Sequence, residues 1–419
     1  MSMRRKEVKL KRVLNLLDAV SICIGATVGA GIFVVVGLAA GLAGPGLVFS
    51  VFIAALVSSF TAMSFAELSS AIPKEGGAYE YIFEIVSPLL GFLTGWMVIF
   101  GQIVVGAAVS LGLATYLALF IPLPVKLIAV LACLFFISLN LVGVKQSSEV
   151  NDALVILKVI ALCIFIVAGA LHIKTSNFSN LFPNGLSGVI SGAALIFFAY
   201  IGYARVATIS EEVENPEKTI PLSILISLGI STILYLLVSF TAVGVMNYNV
   251  LSASGTPLAD AMKLTGNELA MLAVSLGAIF ATSSVLLTTI LGVSRITFSM
   301  ARNKQIPSFI NSLHPKFQTP HISIMLTGLL MAALALFCDL KQVFSLASFA
   351  VILTHILVNY SAIKLRGHPK FKIPLRPIPP ILGIVSCSAL LFFLPLDTWV
   401  IATIVLILGI VFHLIKNRF

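Results

Sequence analysis

Apolar stretches of about 20 residues recur along the whole chain, separated by short polar segments that hold most of its charge. A hydrocarbon core about 30 Å thick is crossed by about 20 helical residues. On that rule the pattern predicts twelve helical spans, roughly 15–40, 44–70, 88–119, 124–143, 150–171, 187–210, 219–244, 268–300, 322–338, 342–363, 377–394 and 397–415, numbered 1 to 12 in chain order. The boundaries rest on little sequence at Pro122-Leu123-Pro124, between Cys338 and Lys341, and between Pro395 and Asp397. The longest outer connection, roughly 245–267, reads as short and polar. The reading is an all-α integral membrane protein in which residues 1–419 form a single transmembrane domain.

Composition agrees with the pattern. The chain has 419 residues, 59% of them hydrophobic and 10% charged, with a mean hydropathy of +1.10. Soluble domains carry about 25% charged residues, so too little polar surface is present to cover a globule in water, and the solvent is mostly lipid. A net charge of +10 raises the question of nucleic acid. The charges sit between apolar runs, as at Arg4, Arg5, Lys6, Lys9, Lys11 and Arg12, and form no basic face interleaved with aromatics. Their distribution predicts orientation instead. With a cytoplasmic N-terminus, the inner side receives that cluster, Lys74, Lys145, Lys218, Arg302, Lys304, Lys316, Lys364, Arg366, Lys370, Lys372, Arg376, Lys416 and Arg418. The outer side keeps Lys126, Lys174, Lys263 and Lys341, and an even span number puts both termini in the cytoplasm. The basic start resembles a signal-peptide n-region, yet no small-residue cleavage site follows, so the first apolar segment reads as a retained span. Cys23, Cys133, Cys163, Cys338 and Cys387 lie in apolar segments without metal or redox spacing and read as reduced packing residues. No nucleotide-binding P-loop is present, which argues against direct ATP-driven transport within this chain.

Two spans contain residues that a continuous helix in lipid would avoid. Span 1 holds Gly25-Ala26-Thr27-Val28-Gly29-Ala30-Gly31-Ile32-Phe33. Each glycine weakens a helix by about 1 kcal/mol relative to alanine, and freed backbone groups are tolerated at membrane depth only where they line a cavity. Exposed N–H groups at a half-helix N-terminus would suit a carboxylate; a small-residue packing stripe at Gly25 and Gly29 is the structural alternative. Span 6 reads Phe197-Phe198-Ala199-Tyr200-Ile201-Gly202-Tyr203-Ala204-Arg205. Spans 1 and 6 occupy matching places in two successive sets of five, and interrupted helices so paired point to a transporter site between inverted repeats.

Four stretches carry a family resemblance: Gly25 to Phe33; Phe65-Ala66-Glu67-Leu68 through Pro73-Lys74-Glu75-Gly76-Gly77-Ala78-Tyr79; Phe197 to Tyr203 followed by Glu211-Glu212-Val213-Glu214-Asn215-Pro216-Glu217-Lys218-Thr219-Ile220-Pro221; and Ser294-Arg295 through Met300-Ala301-Arg302 to Pro307. In these the chain resembles the amino acid–polyamine–organocation superfamily, in its cationic-amino-acid-transporter-like branch. The resemblance implies a five-plus-five inverted-repeat fold with discontinuous helices 1 and 6, repeats over roughly 15–171 and 187–363, and peripheral helices over 377–415. It implies a substrate carboxylate on the backbone of Thr27, Ala30 and Gly31, an ammonium at the carbonyls of Phe198, Ala199 and Ile201, and Phe198 as an aromatic gate. Relatives often have an acidic residue where Ala204 stands, and Arg205 follows it here. An arginine near the pocket would repel a cationic side chain and attract an anionic one; alternatively it lies below the site, paired with Glu211 or Glu212.

Lys158 stands in the apolar run Leu154 to Ala161 of span 5. A lysine at the bilayer centre costs about 2.5–3.5 kcal/mol on insertion scales, so it either snorkels to the cytoplasmic surface or has a task. Proton-coupled proteins that this chain resembles place a span 5 lysine where sodium-coupled ones hold a cation. The corresponding partners are the carbonyls of Gly25 and Val28 and the hydroxyls of Ser283 and Ser284, acceptors that suit the three donors of an ammonium. Glu67 reads either as a vestibule residue or as a helix-end carboxylate near Lys74, and Arg295 as a partner for the Glu211–Glu217 run. His355 reads as a hydrogen-bonded packing residue or a polar pocket residue, and His314, His321 and His368 as loop residues near prolines. No second histidine or acid stands at ligand spacing, so neither a metal nor a cofactor is expected. An embedded enzyme would need paired acids or a nucleophile with its base inside the spans, which Lys158 and Arg205 do not make. The expected function is secondary active transport of amino acids across the plasma membrane by alternating access, with proton symport first, an exchanger or a sodium symporter as alternatives within that class, and a channel or membrane scaffold outside it.

Overall fold

The computed structural model describes residues 12, 14–74, 76–142, 148–317, 319–367 and 369–416, with backbone alone at 148–151, 209, 211 and 299. Arg4, Arg5, Lys6, Lys9, Lys11, Glu75, Lys145, His368 and Arg418, and the side chain of Glu211, therefore lie outside the described residues.

Span 1 begins at a capping box: the Asn15 side chain accepts from the N–H of Asp18, and the Asp18 carboxylate accepts from the N–H of Asn15. The helix Leu16–Thr27 stops there, a π turn covers Gly31–Val35, and Val36–Ala43 continues as α-helix. Gly44 then turns the chain with φ 64° and ψ −149°, a backbone open to glycine alone, and Pro45 helps to start span 2 at Leu47–Ala71. Among the described residues nine helical stretches are long and apolar enough to cross a membrane by length and composition. The first, Leu16–Ala71, contains spans 1 and 2, and the shorter apolar helices His321–Phe337 and Ile378–Phe392 fall at spans 9 and 11. Twelve crossings result.

Spans 1 to 4 each pack against the span five places later: 1 on 6, 2 on 7, 3 on 8 and 4 on 9. Two five-helix units facing one another across an axis produce such pairing. Buried polar side chains tie the helices where lipid offers no partner. Asn359 in span 10 accepts from Ser64 Oγ of span 2 at 2.7 Å and donates to Thr61 Oγ1 at 2.9 Å. Span 12 packs on spans 3 and 10 and leaves Ile404, Ile407, Leu408 and Val411 exposed, as lipid-facing residues should be.

Three local expectations are corrected. The 245–267 connection is not a polar loop: Tyr248–Ala253 and Pro257–Leu264 are short helices that bury Leu251, Leu258, Ala259, Ala261 and Met262. The apolar residues recur at three- and four-residue intervals, so one face packs against spans 1, 5 and 8 while the polar face stays outside. A further helix, Ala78–Ile85, follows span 2 where the hydropathy pattern marks only a connection. Cys23, Cys133 and Cys387 are buried, but Cys163 is exposed and does not serve packing.

Candidate functional site

Spans 1 and 6 cross where both depart from α-helix. A Cβ placed at Gly31 would stand 2.5 Å from Ala199 Cβ, and one at Gly202 would stand 2.1 Å from the backbone nitrogen of Thr27. Only hydrogens fit between the two backbones. Span 6 is α-helical over Gly185–Ile196 and then runs as a 3-10 helix over Phe197–Glu212. The sequence implies an unwound break there; the structure has a tightened helix instead, because i→i+3 bonds retain partners for most backbone groups at membrane depth. Such runs rarely exceed a few residues and mark hinges or strain.

The first N–H groups of a helix have no partner within it, and span 1 resumes at Ala30 and Gly31, both of which line the cavity. The Thr27 hydroxyl donates to Cys23 O at 2.7 Å. Tyr235 of span 7 shares its one hydroxyl proton between the carbonyl oxygens of Thr27, at 2.8 Å, and Ala199, at 3.1 Å. Tyr116 Oη donates to Phe33 O at 2.7 Å, beside the π turn. Of the three span 6 carbonyls expected to meet an ammonium, that of Ala199 is thus engaged already, whereas those of Phe198 and Ile201 have no side-chain donor among the described residues.

A cavity of about 120 Å³ lies at this crossing, lined by Thr27, Ala30, Gly31, Phe198, Ala199 and Ile201 among others. Its lining continues to Gly76, Gly77, Ala78 and Thr208, at the membrane side where span 2 ends. Toward the opposite side Phe198 is buried edge-on against Phe344 at the start of span 10, ring centroids 5.2 Å apart.

On the other face of span 1, Lys158 is fully buried near the middle of span 5, so it does not snorkel. Its Nζ donates to Gly25 O at 2.7 Å, Val28 O at 3.3 Å and Ser284 Oγ at 2.9 Å. Three donors meet three acceptors. Two of these are carbonyls at the C-terminal end of the first half of span 1, where the helix dipole favours a cation. Ser283 is half-buried and is not a partner; adjacent helical residues point about 100° apart, so one of two neighbouring serines reaches the ammonium.

Other expectations resolve differently. Glu67 lies outside the cavity lining: it is 1% exposed, with Oε1 3.5 Å from Arg376 Nη1. Lys74 pairs instead with Glu84, and Glu217 with Lys370. Arg295 is exposed and has no ion pair among the described residues. His355 meets both of its readings, since Nδ1 donates to Val351 O at 2.8 Å, leaving Nε2 to accept from Tyr203 Oη at 3.0 Å, while the ring also lines the cavity. Arg205 lines the cavity and has no carboxylate partner among the described residues.

Sequence reasoning missed Gln102, Thr289 and Tyr235. Gln102 is legible as a lone amide within the apolar run of span 3, a rarity that marks function in a membrane. Thr289 and Tyr235 leave no such mark, since threonine and tyrosine are common in spans. Tyr235→Phe is expected to lower stability by about 1–2 kcal/mol, because two carbonyls at the break lose their donor while the ring packing stays. Thermal unfolding of the detergent-solubilised variant beside the native chain measures it.

Comparison with known proteins gives the family. The family model described as amino acid permease matches residues 14–414. The chain is 32% identical to the methylthioribose transporter of Bacillus subtilis (strain 168), covering 100% of this chain and 96% of that protein. It is 32% identical to the branched-chain amino acid permease BcaP of the same organism, over 98% and 94% of the two chains. With the vacuolar cationic amino acid transporter 4 of Arabidopsis thaliana the identity is 34%, over 88% of this chain and 65% of that longer protein. A match over nearly the full length, on a twelve-span fold with its cavity where spans 1 and 6 depart from α-helix, places this multi-pass membrane protein in the amino acid permease family.

Proposed function

We propose that this chain is a proton-coupled symporter of amino acids in the plasma membrane, working by alternating access, with both termini cytoplasmic. Five-helix repeats over roughly 15–171 and 187–363 would move against each other, with 377–415 peripheral. The reading rests above all on Lys158, whose ammonium takes up the oxygens of Gly25, Val28 and Ser284 between spans 1, 5 and 8. A sodium ion at this place would have to displace a fully hydrogen-bonded cation.

The substrate's carboxylate sits on the N–H groups at Ala30 and Gly31, beside Thr27, and its ammonium faces the carbonyls of Phe198 and Ile201. A zwitterion is thereby held between the positive end of one half-helix and the carbonyls of another. The cavity's continuation to Gly76 and Thr208, with Phe198 edge-on against Phe344 at the far end, fits an inward-facing state in which Phe198 is the closed outer gate. Loss of the Lys158 proton leaves two N–H donors for three acceptors. One of the three holds is then lost, and two of the three are on the first half-helix of span 1, which borders the substrate. Protonation and gating are coupled through this shared backbone.

The test is uptake of labelled amino acids into proteoliposomes under an inward proton gradient without sodium. Accumulation above equilibrium that collapses with a protonophore supports symport. Uptake that ignores the gradient and needs internal amino acid makes the protein an exchanger, and uptake that needs external sodium makes it a sodium symporter.

A further inference from the structure

The cavity holds a positive charge that no carboxylate among the described residues neutralises. Among its described lining residues Arg205 is the only one with a permanent charge. Its guanidinium, a group with five N–H donors, forms neither an ion pair nor a hydrogen bond among the described residues. It lies against span 8 at Gly292, where an added Cβ would stand 2.6 Å from Nη1. Thr289, three residues earlier on the same helix face, has a buried Oγ1 without a hydrogen-bond partner, and Oε1 of Gln102 in span 3 is likewise buried and unpartnered. Both line the same cavity. Ala204, beside Arg205 in the lining, supplies no counter-charge.

Buried polar groups are almost always paired, and an uncompensated buried charge is strongly unfavourable. Two such groups, Gln102 Oε1 on span 3 and Thr289 Oγ1 on span 8, converge with the half-buried Arg205 of span 6 on one cavity and make an unfilled set of partners. Lys158 adds a second cation behind span 1, again without a carboxylate among its partners. We propose that Arg205, with Thr289 and Gln102, forms the side-chain subsite of the transporter and selects amino acids whose side chain ends in a carboxylate, the class of glutamate and aspartate. The inference rests on the reading of the cavity as an amino acid site. The α-carboxylate remains at the break in span 1. The second carboxylate accepts a two-pronged bond from the planar guanidinium, the Thr289 hydroxyl donates to it, and the Gln102 amide turns its NH₂ toward it. A cationic side chain is repelled by Arg205, and a neutral aliphatic one leaves all three groups unpaired.

The experiment is equilibrium binding of L-glutamate, L-aspartate, L-glutamine, L-leucine and L-lysine to the purified full chain. Glutamate and glutamine have the same shape and differ in charge, so their ratio of affinities reads the subsite. The native chain is expected to prefer glutamate by roughly 30-fold, the scale of a desolvated charge-assisted bond. Arg205→Met is expected to bring the ratio to about 1, with Arg205→Lys between the two because it keeps charge but not the fork. Thr289→Val and Gln102→Leu, which retain the guanidinium, are expected to reduce the ratio by roughly 5-fold each, so the subsite is tested even if Arg205→Met does not fold. Equal binding of glutamate and glutamine by the native chain, or a preference that survives Arg205→Met, overturns the subsite and leaves the amino acid reading standing. Absence of binding by every amino acid overturns both.

Discussion

Lys158→Ala is expected to abolish accumulation of substrate under a proton gradient. A membrane potential of 100 mV supplies about 2.3 kcal/mol per charge and one pH unit about 1.4 kcal/mol, so one proton sustains a gradient of roughly 500-fold for a neutral amino acid and, because an acidic amino acid carried with one proton moves no net charge, of roughly 10-fold for glutamate or aspartate. Without the lysine no group at the junction of spans 1, 5 and 8 carries that proton, and the ratio falls to about 1. The oxygens of Gly25, Val28 and Ser284 then face a space left by the side chain. Counterflow of labelled substrate in the same proteoliposomes separates lost coupling from lost folding: counterflow above protein-free liposomes with no accumulation is the expected pair of results. A variant that still accumulates substrate with the native pH dependence would return Lys158 to a structural role.

The second large effect is steric. Gly202→Ala puts a methyl group 2.1 Å from the nitrogen of Thr27, 2.3 Å from the carbonyl carbon of Ala26 and 2.4 Å from Cα of Thr27. All three are backbone atoms, so no rotamer change relieves the overlap, and the two interrupted helices must separate where the cavity is built. Overpacking costs about 1–3 kcal/mol when side chains can yield. Here the expected loss is at least about 3 kcal/mol, with substrate binding weakened more than roughly tenfold. Gly229→Ala is the matched control: it lies within the helix Pro216–Val245, and nothing stands within 4 Å of the added atom. Thermal unfolding of the two variants should differ in sign, since alanine in open helical space gains up to about 1 kcal/mol. Equal stability of both variants would mean that spans 1 and 6 do not approach as closely as the structure has them.

Much of this was written in local sequence, for physical reasons. Span number follows from hydropathy because lipid thickness sets helix length. The break in span 1 is legible because glycines clustered at membrane depth have few other uses, and Lys158 because a buried charge in lipid demands a partner. The acceptors at Gly25 and Val28 followed from the resemblance. What eluded local sequence depends on the direction of side chains and on contacts between distant segments. Ser284 rather than Ser283 meets the ammonium because of the rotation of one helix. Glu67 is held by Arg376, some 300 positions along the chain, rather than by nearby Lys74. The helices Tyr248–Ala253 and Pro257–Leu264 are too short for a hydropathy pattern to register and exist because spans 1, 5 and 8 offer them an apolar surface.

A twelve-span membrane protein with unusual residues in spans 1, 5 and 6 is legible from the chain alone, because hydrophobic length, glycine placement and buried charge are local properties. Which polar groups share one cavity depends on the packing of the spans. Arg205, Gln102 and Thr289 come from three spans, and whether each has a partner is a matter of where helices cross, which no single segment encodes.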